Sequence, residues 1–102
     1  LGEADIALDQ ARAVVPGDAQ AWLLSATLAR RTGDLATAQA QVEQAAGIDP
    51  RDPAIGLEAG VIAALGGRHE AAAKSFESVV AAAPDSVEAT AARTYLEQLT
   101  PR

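Results

Sequence analysis

The sequence has no cysteine, no methionine and no asparagine, and only one histidine and one lysine among 102 residues. Without cysteine there is no disulfide framework, no thiolate metal site and no thiol nucleophile, and the redox compartment is left open. Aromatics are nearly absent as well: Trp22, Phe76 and Tyr95 stand alone. Hydrophobic residues make up 49% of the chain, but alanine supplies 26 of them, leaving only 24 large apolar side chains. A thick, aromatic-rich core is therefore excluded, and close packing of small residues must take its place. No apolar run approaches the ~18 residues that a membrane span requires. A net charge of −6, with seven arginines and the single Lys74, opposes nucleic-acid binding, which needs a basic face. No secretory leader is visible, and Leu1 falls in mid-pattern. The chain is thus expected to be a piece of something longer, with cytoplasm and periplasm both open.

What the sequence does have is alanine, leucine, glutamate, glutamine and arginine, the strongest helix formers. Breakers punctuate them at Pro16-Gly17, Gly33, Pro50 with Pro53, Gly66-Gly67 and Pro84. No segment alternates apolar and polar residues with period two, so no strand is expected. Helices are expected near 2–14, 19–32, 35–47, 53–66, 69–82 and 86–99. The breakers also keep a period. Pro16, Pro50 and Pro84 are 34 residues apart, as are Gly33 and Gly67. The same spacing relates Asp18, Asp52 and Ser86, each suited to cap a helix start. It also relates Ala4, Ala38 and Ala72; Leu8, Val42 and Phe76; and Ala11, Ala45 and Val79. A fixed period of this length means stacked helical hairpins.

On these residues the sequence resembles a tetratricopeptide repeat (TPR) array. Residues 19–52 match the family pattern at Trp22, Gly33-Asp34-Leu35, Ala38, Val42, Ala45 and Asp49-Pro50. Residues 53–86 match at Gly60, Gly67, Ala72, Phe76 and Pro84. The chain then reads as a single domain over 1–102. Residues 1–18 are the second helix of a truncated upstream repeat, 19–52 and 53–86 are full repeats, and 87–102 are a C-terminal capping helix with polar Glu88, Arg93, Glu97 and Gln98. The resemblance implies an all-α fold, an α-solenoid of about six antiparallel helices coiling as a right-handed superhelix. Three departures stand out. Gly56 replaces the aromatic equivalent to Trp22, Ala26 takes the place matched by Gly60, and Arg68-His69 replaces the pair matched by Asp34-Leu35. The last weakens a helix cap. Gly56 and Gly60, four apart on one helix, cost about 1 kcal/mol each against alanine and are expected to mark close helix contact. Abundant alanine, glycine and arginine with almost no lysine resembles the composition of high-GC bacterial proteins.

No catalytic constellation is present. His69 stands alone at an expected helix start and reads as a packing or capping residue. No ligand spacing supports a metal, and Gly66-Gly67 lacks the Lys-Ser/Thr of a phosphate loop. Glu70 and Lys74 read as surface helix support, and Asp49, Arg51 and Asp52 as a solvated turn. Arg30-Arg31 is the densest positive spot and suits a helix C-terminus. No enzyme activity, cofactor or metal is expected of this chain.

The resemblance implies that first helices of successive repeats line a concave groove for a peptide or amphipathic helix of a partner protein. The groove positions carried over are Gln20, Leu23, Thr27 and Arg30; Ala54, Leu57, Val61 and Ala64; and Glu88, Ala91 and Tyr95, with Gln98 at the edge. One family subset clamps acidic C-terminal peptides with lysine and asparagine there. This chain has no asparagine, and Lys74 lies off the groove, so that mode is rejected. An apolar floor of Leu23, Leu57 and Val61 suits an amphipathic helix or apolar segment. The alternative is a structural or oligomerising segment of a longer array with no groove ligand. A related RNA-reading repeat class is opposed by the period and the acidic balance. The face of residues 1–13 bearing Ala4, Leu8 and Ala11 lacks a partner helix, so self-association or fraying is expected there.

Overall fold

The computed structural model describes residues 17–99. Five helices follow one another: α1 (Ala19–Arg31), α2 (Leu35–Ile48), α3 (Pro53–Leu65), α4 (His69–Ala82) and α5 (Val87–Leu99). No strand occurs among the described residues. Each helix lies within a residue of its expected span. The helix expected at 2–14, and the self-association or fraying expected over 1–13, lie outside the described residues.

Local chemistry sets the helix ends. The Asp18 carboxylate accepts from the Gln20 and Ala21 amides at 2.9 and 3.4 Å. Asp52 does the same for Ala54 at 2.9 Å, with Pro53 opening α3 where its missing N–H costs nothing. Asp34 caps α2 through Thr37, and Ser86 Oγ accepts from Ala89 at 3.0 Å. The exception is α4, where Arg68 makes no capping bond and instead donates to Gln39 Oε1 at 2.7 Å. The two turns within hairpins are copies of each other. Gly33 and Gly67 take φ of 86° and 80°, a left-handed conformation that glycine alone adopts freely. Asp34 N–H donates to Ala29 C=O and Arg68 N–H to Ala63 C=O at 2.9 and 2.8 Å, satisfying carbonyls the helix leaves open.

These short connections make consecutive helices antiparallel neighbours. The result is an α-solenoid of helix hairpins, extended to 44 × 25 × 18 Å. Its buried hydrophobic residues fall into two groups. Ala19, Ala26, Ala38, Val42, Ala45, Ile55 and Ile62 form one, with Trp22 and Leu23 packed against it. Ala63, Ala72, Phe76, Val79, Ala89 and Ala92 form the other, with Leu57, Val61 and Leu96 beside it. Seven of these thirteen are alanines other than Ala19, and all seven are at most 4% exposed, so small residues build the core as composition requires. Helix α3 packs against all four other helices, whereas neither α1 nor α2 packs against α4 or α5.

The two glycines of α3 mark close approach. A Cβ on Gly56 would lie 2.7 Å from Val79 Cγ2, and one on Gly60 would lie 2.7 Å from Phe76 Cδ1. At both places a larger residue on α4 fills the room that the glycine leaves.

Candidate functional site

Helix α3 packs against both α1 and α5, the two other helices that carry sequence-expected groove residues. On α3, Ala54, Leu57, Val61 and Ala64 recur at helical spacing and are all half-buried. Leu23, Thr27 and Arg30 of α1 are half-buried too, while Gln20 is exposed. On α5, Glu88 and Ala91 are half-buried, and Tyr95 is 36% exposed.

Three polar residues of α1 have hydrogen-bond partners on α3 or at its start. Gln20 Nε2 donates to Asp52 Oδ2 at 2.7 Å. Arg30 forms an ion pair with Glu58 through Nε, and its Nη2 donates to Glu58 Oε1 at 3.3 Å. The Thr27 hydroxyl lies 3.1 Å from the same Glu58 oxygen and 3.0 Å from the Leu23 carbonyl. The pair is largely shielded, with side-chain exposures of 24% for Arg30 and 11% for Glu58. The Glu58 hydrogen bond raises the Arg30 pKa above its ordinary value. Partial burial opposes it, while the Glu58 charge and the Tyr95 phenol add to it.

Tyr95 stacks on Phe76 with ring centroids 5.0 Å apart and planes 10° from parallel. Beside the stacked rings lies a hollow of about 200 Å³, lined by Val61, Ala64, Leu65, Phe76, Tyr95, Gln98 and Leu99. Leu65 is 59% exposed at its edge. A second hollow, of about 280 Å³, is lined from α2, α3 and α4, with Gly56 and Ile55 in its wall and Lys74, Ser75 and Ser78 around it.

Among the expected groove residues, Arg30 is already paired. The partner is Glu58, which sequence reasoning overlooked. The signal was there: Glu58 is the only charged residue in the thirteen of α3. Leu65 and Leu99 were overlooked as well, each one residue past the helical positions considered. His69 is exposed at the first residue of α4. Among the described residues, no group of three or more His, Asp or Glu side chains could hold a metal ion. No helix there is long and apolar enough to cross a membrane.

Paired helices with a 34-residue period, glycine turns and an alanine core define a helical-repeat protein. The chain belongs to the tetratricopeptide repeat family, whose model matches residues 1–53 and again 23–87. No curated protein matches the chain. Repeats of this family generally mediate protein–protein interaction, and the family is typically non-catalytic.

Proposed function

We propose that the face formed by α1, α3 and α5 binds a segment of another protein, a peptide or an amphipathic helix, and that this chain does no catalysis of its own. The observation that carries the reading is the apolar run Leu57, Val61 and Ala64, which leads into the 200 Å³ hollow beside exposed Leu65 and Tyr95. Contiguous apolar surface of this kind marks interaction sites. The hollow is large enough for one leucine- or phenylalanine-sized side chain, the usual anchor of a helix or peptide in a groove.

The test is a photo-crosslinking side chain at Leu57 in the full-length protein within its own host. A groove binder gives a discrete partner whose capture is lost on Val61→Asp while the chain keeps its helicity. Capture insensitive to that substitution overturns the reading.

A structural role within a longer array is supported by a different observation. Leu24 holds the repeat position of Glu58, which faces the preceding first helix, and Leu24 is 53% exposed. Under this second reading Leu24 is the contact for a further helix, and crosslinks from Leu57 reach only copies of the same protein or nothing.

A further inference from the structure

We propose that Glu58 is the specificity-determining residue of this groove: it neutralises Arg30, so that the groove takes an apolar, uncharged segment of a partner protein and disfavours acidic ones. The inference rests on the groove reading above and goes further by naming the chemistry of the partner.

A carboxylate on α3 is costly to keep. The helix reads PAIGLEAGVIAAL, with no other charge, and the Glu58 side chain is only 11% exposed. An ionised group so placed persists only with a partner and hydrogen bonds to offset its lost hydration. Glu58 has both, in Arg30 Nε and Nη2 and the Thr27 hydroxyl. The same position one repeat earlier is Leu24, so the repeat frame itself does not demand an acid there.

The effect on a ligand follows from charge. Arg30 is the one cation among the expected groove positions, and unpaired it would attract a partner's carboxylate. Paired, it presents a dipole. A carboxylate approaching its remaining N–H groups gains from Arg30 and loses to Glu58 only slightly farther off. Glu88, an expected groove position on α5, is half-buried and carries a further negative charge. An uncharged acceptor, such as a main-chain carbonyl or a side-chain amide, can use those N–H groups without that penalty. Gln20 is likewise engaged by Asp52. What a partner meets is then chiefly Leu23, Leu57, Val61, Leu65 and Tyr95. Complementarity to such a face selects apolar residues without acidic neighbours.

The experiment is selection from a random 12-residue peptide display library, run in parallel on the whole chain, on Glu58→Gln and on the double variant Arg30→Met/Glu58→Met. Circular dichroism confirms that each is folded. The native chain is expected to enrich large apolar residues and deplete Asp and Glu. Glu58→Gln is expected to enrich acidic peptides, and the double variant to return to the native preference. In a representative native-selected peptide, changing one Gln to Glu should weaken binding to the native chain at least tenfold, and weaken or reverse that effect on Glu58→Gln. Acidic peptides selected by the native chain overturn the proposal, as does one common preference for all three proteins. Should Glu58→Gln fail to fold, Glu58→Leu, which installs the residue of the equivalent position Leu24, takes its place in every comparison with the same expected and overturning outcomes. Absence of any selected peptide, or selected peptides that bind Leu57→Asp undiminished, overturns the groove reading itself and is read separately from the charge preference.

Discussion

The Phe76 ring stands where a side chain on Gly60 would have to be: a Cβ there would come within 2.7 Å of both Cδ1 and Cζ. The equivalent pair in the preceding unit is Ala26 and Val42, both fully buried. Volume has been exchanged across the helix contact, larger on one side and smaller on the other, so that each hairpin closes.

This exchange predicts a reversal of sign. Gly60→Ala improves helix propensity by about 1 kcal/mol, yet it overpacks a filled contact at a cost of about 1–3 kcal/mol, so the net effect is destabilising. In a Phe76→Val background the clash is gone and the same substitution becomes stabilising by about 1 kcal/mol. Urea unfolding of the four proteins of the cycle measures the coupling directly. Equal effects in both backgrounds would show that the ring moves aside without cost.

Removing Glu58 leaves a shielded Arg30 without its carboxylate, while the Thr27 hydroxyl keeps the Leu23 carbonyl as acceptor. Glu58→Ala is expected to cost about 1–3 kcal/mol, above the range of an exposed surface pair. Arg30→Ala/Glu58→Ala should cost less than the two single losses added together. Additive losses in chemical denaturation would mean that the pair contributes nothing as a pair.

The start of α4 is the uncapped one. Arg68 occupies the position of Asp34, makes no capping bond and places a positive charge at the positive end of the helix dipole. Arg68→Asp should therefore stabilise by about 1 kcal/mol, despite loss of the exposed bond to Gln39. For a domain of this size that corresponds to a rise in Tm of about 4–8 °C. A fall in Tm would show that the Gln39 bond outweighs the cap.

Asp34 links folding to pH. Hydrogen bonding from Thr37, side chain first and backbone second, lowers its pKa below the ordinary carboxylate value of 3.8. A carboxylate whose pKa is lower in the folded chain stabilises fully above its unfolded pKa, and that stabilisation fades as pH falls through the folded value. The contribution should thus be intact at neutral pH, begin to fade near the unfolded value of about 4 and be lost as pH falls through the lower folded one. Asp34→Asn keeps an acceptor but cannot titrate, so its stability should fall less steeply in acid than that of the parent. Parallel acid curves would assign the acid sensitivity to other carboxylates.

Helix ends were legible because capping is local. Asp18, Asp34, Asp52 and Ser86 each act on amides two or three residues away, and Gly33 and Gly67 close turns within six residues. The breaker spacing therefore places each described helix to within a residue. The Arg30–Glu58 pair was not legible, because it joins residues 28 apart and depends on how α1 leans against α3. Nor does the repeat frame reveal it, since the equivalent position holds Leu24. The hollow beside Tyr95 was hidden for a related reason: its walls come from three helices, and only their packing decides whether such side chains meet or leave a gap.

Apart from the exposed Arg68–Gln39 bond, helix α3 alone joins the two ends of the stack, giving Ile55 and Ile62 to one core and Ala63 to the other. Mechanically it is the single articulation of the described structure. Any bending or twisting of the hairpins against each other is concentrated in thirteen residues, two of them glycine. A segment laid across α1, α3 and α5 would act as a second strut between ends that otherwise have only one, and an occupied groove would be a stiffened one.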